Sequence, residues 1–462
     1  MSFEKKELAR KWAVLAVVTL VSFVTNLDAT IVVIGLPRLI QDLHVSMVTG
    51  MWSITAYLIT STVFLLPAGK WADGAGYKRI FLWGFGLFTA ATLLCGLANS
   101  GQELVLFRLI QGIGAAFALA TASPILMRVF PAEQLGLAIG INSTSWVIGS
   151  IVGPVAGGAL ISSFGWRSMF FVQVPFALLG LVAGWILLKE MKGTLREKTD
   201  WAGVLTFGLG LSAFLVALSE GQEWGWTTPA VLGLFGATLL FLTVFVFVEW
   251  RGKQPLLQLR LFSFKPYTTG LGVTFSYCVG YFSITTLLTL YLQSAQHLSP
   301  LESGLLLIPL SAPQLVMGPL GGKFADRFGP FNMAGIGLCL IAGSFFLLGN
   351  LGESLKQATV IVPLLIISVA NGLAWPSVAK SVLSAAPVEQ AGSASGMFYT
   401  IYNVGRVVSQ TLALIIVEVY AAPAYSKTAV VQMTDVGFRM FAVFFLIALA
   451  LVFFMKRAQA DS

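Results

Sequence analysis

Charge is the scarcest ingredient of this chain. Asp, Glu, Lys and Arg make up 10% of its 462 residues and the mean hydropathy is +0.85, a balance from which a water-solvated globular surface cannot be built. Histidine is nearly missing: the two present, His44 and His297, fall in predicted loops between apolar runs. The three cysteines, Cys95, Cys278 and Cys339, lie inside apolar runs, which argues against a disulfide framework and a metal cluster. Neither a Walker sequence nor HExxH occurs, so ATP hydrolysis and zinc chemistry lack their residues, and no enzyme activity, metal or cofactor is expected.

What the chain has in abundance is long uncharged runs. FLWGFGLFTAATLLCGLA (81–98) and VLGLFGATLLFLTVFVFV (231–248) are each long enough, as helices, to cross a hydrocarbon layer about 30 Å thick. Such runs fill nearly the whole chain, and lipid offers the backbone no hydrogen-bond partner, so the fold class is an all-α polytopic membrane protein. Fourteen spans are predicted: 12–36, 47–68, 80–98, 102–127, 135–161, 168–188, 201–220, 227–249, 267–292, 302–320, 331–349, 359–380, 392–419 and 434–455. The first run is full length and lacks a small-residue cleavage site, so no cleavable signal is expected.

An even number of spans puts both termini on one side. The loops and tails of that side hold twenty-one Lys and Arg, against about four opposite: Arg38, Arg167, Lys356 and Lys427. The positive-inside rule makes the richer side cytoplasmic, in a cell inner membrane. The net charge of +8 then reflects topology and anionic membrane lipid, and nucleic acid is not needed to explain it. The opposite loops are short, so the chain acts within or across the bilayer.

Two landmarks recur. GKWADGAGYKR (69–79) returns as GKFADRFGP (322–330), matching Asp73 with Asp326 at an offset of 253, and PAEQLGLAIG (131–140) returns as PVEQAGSASG (387–396) at an offset of 256. Nearly constant spacing suggests two six-helix bundles, 1–190 and 260–462, with a two-helix insert in 191–259. Parallel halves of this kind suit a protein that rocks around a central cavity; turns serving only as generic connectors are the alternative. One chain holds both halves, so a functional monomer is expected.

Ionisable residues deep in spans are few: Asp28, Arg108 and Arg406. A charge at mid-bilayer costs about 3 kcal/mol, so each should face protein or a wet cavity. Desolvation favours proton uptake by a carboxylate, which makes Asp28 a candidate to load and release a proton. The competing reading is a permanent Asp28–Arg108 pair that only ties two helices together. Arg108 opens RLIQGIGAA, with Gln111 one turn on, and a structural polar network is open to it as well. Glu418, Asp435 and Arg439 are candidates for a network at the outer ends of the last spans.

GSIVGPVAGGAL (149–160) puts Gly149, Gly153 and Gly157 on one helical face, with Gly158 beside them and Pro154 as a bend. Small residues let a neighbouring helix approach closely, in a seal, a hinge or ordinary packing. Candidates to line a cavity are Gln111, Trp52, Tyr57, Trp146, Tyr277, Trp375, Tyr402 and Arg406; aromatic faces there would suit an apolar or cationic substrate.

These residues, taken together, resemble the major facilitator superfamily, and within it the fourteen-helix drug:proton antiporters. LDATIVVIGLP (27–37) is similar to that group's first-helix signature. Gly69, Asp73, Gly76, Lys78 and Arg79 match its loop between helices 2 and 3. Arg108, Gln111 and Gly112 match its fourth helix; Gly149, Gly153, Pro154, Gly157 and Gly158 match its antiporter motif; GWRSMFFVQVP (165–175) is similar to its entry into helix 6.

The resemblance implies protonation at Asp28 with Arg108 as its partner, and a cytoplasmic gate formed by Gly69, Asp73, Gly76, Lys78, Arg79 and Asp326. It implies export of small lipophilic or cationic compounds in exchange for protons, the alternative being a lipid or metabolite exporter not tightly coupled to protons. Three departures stand out. VVIGLP (32–37) lacks the signature's asparagine, LLLIPLSAPQLVMGP (305–319) carries no acid, and the second turn loses its trailing basic pair, Gly329 being followed by Pro330 and Phe331, so its gate contacts should be weaker.

Overall fold

The computed structural model describes residues 3–190, 199–252, 255–257, 259–420 and 426–460. Among them there are eighteen α-helices and no strand. The first group comprises α1 (Phe3–Leu43), α2 (Met47–Val63), α3 (Leu65–Ala75), α4 (Tyr77–Leu97), α5 (Gly101–Val129), α6 (Ala132–Phe164), α7 (Ser168–Phe171) and α8 (Gln173–Leu187). Then come α9 (Trp201–Trp224) and α10 (Pro229–Arg251). The last group comprises α11 (Lys265–Tyr281), α12 (Ser283–Leu290), α13 (Pro300–Ser311), α14 (Gln314–Phe328), α15 (Pro330–Leu348), α16 (Gln357–Ser384), α17 (Ala391–Tyr420) and α18 (Lys427–Ala460).

Thirteen helical stretches among the described residues are long and apolar enough to cross a membrane, or fourteen once α2 and α3, bent by 42° at Phe64, count as one. Pro67 explains that break, because a proline ring clashes with the carbonyl four residues earlier; Pro175 stands in the same relation to the break between α7 and α8. Several helices outrun the apolar stretches, as α1 does by running on to Leu43, since polar ends can stay helical outside the hydrocarbon.

Both termini lie at one end of the bundle, called here the terminal end. On α1, Lys11 Nζ donates to Gln134 Oε1 (2.6 Å) at the start of α6; on α18, Lys456 Nζ donates to Asn332 Oδ1 (3.0 Å) at the start of α15. Trp83, Trp185, Trp201 and Trp250 ring this end with 62 to 74% of their surface exposed, the position a headgroup-level aromatic belt occupies. The first group packs around α1, α4, α5 and α6 and the last around α11, α14, α15, α16 and α18, while α9 and α10 pair with each other beside α2 and α17.

The recurring sequences meet crosswise. Asp73 Oδ1 accepts the Gly392 N–H (2.7 Å), and its Oδ2 accepts the N–H (2.8 Å) and Oγ–H (2.7 Å) of Ser393, all from the first turn of α17. Asp326 does the same to α6, its Oδ1 accepting Gly136 N–H (2.8 Å) and its Oδ2 Leu137 N–H (2.9 Å). Gly392 and Ser393 are early amides of α17, which carry unmet donors and positive potential, so Asp73 clamps that helix start, whereas Asp326 reaches the second turn of α6. A side chain at Gly69 or Gly392 would land on the other's carbonyl, and the same holds for Gly322 and Gly136. That close approach is why both copies keep their glycines. Gly76 has a separate reason: it links α3 to α4 at φ +102, a conformation other residues adopt at a cost.

The clamps differ in their cation. Tyr77 donates to Asp73 Oδ1 (2.5 Å) and carries the Arg128 guanidinium over its ring at 4.6 Å. Pro330 stands where the second copy would have that tyrosine, and Lys380 Nζ reaches Asp326 Oδ1 (2.5 Å) and the Ala132 carbonyl (2.8 Å) directly. Lys380 thus gives the second clamp a cation that the turn itself does not carry. Lys78 and Arg79 do not make the gate contact: Lys78 Nζ donates to the Trp185 carbonyl within the first group (2.7 Å), and Arg79 is exposed. The second clamp therefore lacks no contact that Lys78 and Arg79 make at the first.

A third repeat lies at the opposite end. His44 and His297, also 253 positions apart, both adopt positive φ (52° and 55°), and each precedes a serine N-cap, Ser46 on Thr49 and Ser299 on Glu302.

Replacing both clamp acids, Asp73→Asn with Asp326→Asn, removes charge-assisted bonds worth about 1.5–3 kcal/mol each. Spin labels at Arg79→Cys and Arg327→Cys, in a Cys339→Ser background, should report a terminal-end-separated population raised at least about tenfold. An unchanged distance distribution would show that the carboxylates do not hold this end closed.

Candidate functional site: a buried carboxylate and an aromatic wall

α6 presses its glycine face onto α1. Side chains at Gly149, Gly153 and Gly157 would meet Asn26 and Leu27, Thr30, and Ile31, and Thr30 Oγ1 donates to the Gly149 carbonyl at 3.1 Å. Gly158 is outside this contact, with no atom within 4 Å of where its side chain would be, and borders a cleft with Ile34, Arg38 and Ile161. Pro154 lies within α6, and its side chain falls outside the described residues.

With one face of α1 taken by α6, Asp28 meets α5 and α8. Asp28 is 0% and Arg108 1% exposed. Arg108 Nη1 donates to Asp28 Oδ2 at 2.6 Å, while Gln111 Nε2 (3.0 Å) and Gln173 Nε2 (3.2 Å) donate to Asp28 Oδ1. The arginine is itself held on three further sides: Nε donates to the Ser53 carbonyl (2.8 Å), Nη1 to Gln111 Oε1 (2.6 Å), and the guanidinium lies 4.3 Å from the centre of the Tyr57 ring. Gln111 Nε2 also donates to Thr92 Oγ1 (2.8 Å) and Gln173 Nε2 to the Met169 carbonyl (2.8 Å).

Chemically, this is a carboxylate surrounded by donors. Arg108 cannot give up its proton, and both amides are turned with their NH2 groups toward Asp28 by their other bonds. A proton arriving on Asp28 would cancel the charge that Arg108 pairs with. Proton and ion pair therefore compete for the same two oxygens, which is the elementary requirement of a coupling site.

Of the proposed cavity residues, Trp146, Tyr277, Trp375 and Tyr402 come together. Trp146 of α6 meets Tyr402 of α17 edge-on at 5.2 Å, Tyr402 meets Trp375 of α16 at 5.2 Å, and Trp375 stacks on Tyr277 of α11 at 5.6 Å. Arg406 lies over Phe282 at 5.3 Å, and Phe282 touches Tyr402. Ser123 Oγ and Tyr399 Oη, 3.0 Å apart, join the two groups just beyond the clamps. Of the other three candidates, Gln111 is 0% exposed inside the Asp28 network, Tyr57 lies under Arg108 within electrostatic reach of Arg406, and Trp52 packs half-buried on the core.

At the end opposite the termini, Asp435 accepts the Leu351 N–H (3.1 Å) and Arg439 donates to Asn350 Oδ1 (2.6 Å), while Glu418 is exposed and apart. That network fastens a loop. Sequence reasoning passed over Gln173, Gln314 and Asn371, each an amide inside an apolar run. The last two form a second polar cluster with Tyr277 and Tyr281. An uncharged polar residue between hydrophobes was the available signal.

Comparison with known proteins agrees with this architecture. The description Major Facilitator Superfamily matches residues 18–410. The chain is 32% identical to the tetracenomycin C resistance and export protein of Streptomyces glaucescens, over 86% of this chain and 74% of that protein. It is 29% identical to the multidrug transporter protein MdtP of Bacillus subtilis, over 86% of this chain and 74% of that protein. The crystal structure of the human organic anion transporter MFSD10 has the same fold, with a TM-score of 0.70 at 17% identity, covering 96% of this chain and 99% of that one. The paired helix groups, the crossed clamps and these likenesses make the chain a polytopic membrane transporter belonging to the Major Facilitator Superfamily.

Proposed function

We propose that the chain exports small amphipathic organic compounds in exchange for protons, by alternating access, as a monomer in the cytoplasmic membrane with its terminal end inside. The observation that carries this reading is Asp28, a carboxylate withdrawn from solvent on a membrane-spanning helix and met only by donors. A charge at such depth is costly and marks function by default. The bias of Lys and Arg toward the terminal end supports the orientation, and relatives named for export and multidrug transport support the direction and the cargo.

In the proposed cycle this conformation is the one closed to the cytoplasm. The halves 1–190 and 260–462 rock about the clamps, with the insert in 191–259 riding beside α2 and α17. When Asp28 holds a proton, Arg108 keeps the Ser53 carbonyl, Gln111 and the Tyr57 ring but loses its charge partner, so α5 is freed from α1. When Arg108 pairs again, the proton leaves toward whichever side is open. Membrane lipid surrounds the chain, and no cofactor enters the scheme.

In proteoliposomes, an imposed pH gradient should drive uptake of a fluorescent multidrug probe. Asp28→Asn should reduce that uptake to the level of empty liposomes. Arg108→Lys keeps the charge without the planar fork and should slow it at least about tenfold. Gradient-driven uptake by Asp28→Asn at the wild-type rate would overturn the coupling site, and transport indifferent to both gradient and substitution would favour a facilitator.

A further inference from the structure

We infer that the last helix group binds planar aromatic compounds through an acceptor oxygen, such as a carbonyl, phenol or enolate oxygen, with Tyr281 as the donor and Arg406 as the complementary charge. This deepens the reading of the chain as an exporter of small organic compounds by naming a chemical class, and it sets lipophilic cations aside.

The argument begins with hydrogen-bond bookkeeping. Gln314 Nε2 donates to the Leu310 carbonyl at 2.7 Å, which fixes the orientation of that amide. Its Oε1 therefore faces Asn371 and accepts Asn371 Nδ2 at 2.9 Å. The Asn371 amide is oriented in turn, and its Oδ1 accepts the Tyr277 hydroxyl. Tyr281 Oη accepts from both amides, from Gln314 Nε2 at 2.8 Å and from Asn371 Nδ2 at 3.1 Å. A phenolic oxygen that already accepts two bonds has one capacity left, its own O–H. Among the described residues that hydrogen has no acceptor. The chain of bonds polarises the hydroxyl and aims it in advance, so a ligand oxygen meets a donor whose ordering is already complete.

The surroundings suit a flat ring. Tyr281 stacks on Tyr277 at 5.5 Å and 12°, Tyr277 on Trp375, and Trp375 meets Tyr402, which Trp146 joins from the first group. Aromatic faces of this kind commonly hold cations, and here charge decides against that. Arg406 already sits over Phe282, whose edge meets both Tyr281 (5.7 Å) and Tyr402 (5.5 Å).

The buried carboxylates among the described residues are Asp28, Asp73, Glu220 and Glu249. The first is engaged by Arg108, the second by the clamp, and the last by the Leu256 and Leu257 amides; Glu220 is on α9, outside this wall. A cationic ligand would meet like charge with no counter-ion. An electron-rich oxygen meets a donor and a positive charge.

The test is equilibrium binding by calorimetry to purified protein at one pH with no gradient. 1,8-Dihydroxyanthraquinone serves as the acceptor probe and tetraphenylphosphonium as the cation probe. Wild type should bind the anthraquinone more tightly than the cation. Tyr281→Phe keeps the ring and should weaken anthraquinone binding by about tenfold. Arg406→Gln leaves the amide chain untouched and should weaken it as well, without weakening the cation. Because Tyr281→Phe strips an acceptor from two buried amides, its thermal melting is measured in parallel, and if it fails to fold the Arg406→Gln result decides. Tighter binding of tetraphenylphosphonium by wild type, or wild-type anthraquinone affinity in the folded variants, would overturn the inference. With no gradient applied, failure of proton coupling leaves this measurement intact, and failure here leaves the Asp28 experiment intact.

Discussion

Inside a hydrocarbon layer nothing but the protein can satisfy a polar group, and that constraint arranges this molecule. It makes the backbone helical, and it draws the large buried polar side chains toward partners on other helices. Asp28 illustrates the second effect. One carboxylate on α1 draws Arg108 and Gln111 from α5 and Gln173 from α8, and Arg108 in turn takes the Ser53 carbonyl of α2. Four helices are located by one charge. The same logic, without a formal charge, locates Tyr277 and Tyr281 of α11, Gln314 of α14 and Asn371 of α16 around one another.

The contact between the two helix groups is of another kind. It consists of carboxylates on backbone amides in the first two turns of α17 and α6, with glycines that let backbones touch. The two clamps share a plan and differ in their cation, a tyrosine-borne arginine on one side and a bare lysine on the other.

Much of this was legible in the residues. Apolar runs gave the spans, and the recurring landmarks at Asp73 and Asp326 proved to be contacts. Less visible were features whose meaning depends on a partner far along the chain. Gln173 reads as an anomaly in an apolar stretch until α8 is laid beside α1. Lys78 and Arg79 sit in the gate sequence, yet one reaches Trp185 and the other reaches solvent, because local order says nothing about which way a side chain on a helix turn points. Tyr57 was sorted with the cavity aromatics on composition; its neighbour is a guanidinium.

The sequence by itself determined that this is a helical membrane protein with recurring turn sequences and one carboxylate deep in its first span, because hydropathy, charge bias and repeats are properties of the chain read in order. Only the tertiary structure decided what that carboxylate holds, which aromatics share a wall, and which hydroxyl is left with a proton to offer. Those outcomes depend on how helices are rotated about their axes and how far they approach, and such rotations are set by packing among residues hundreds of positions apart.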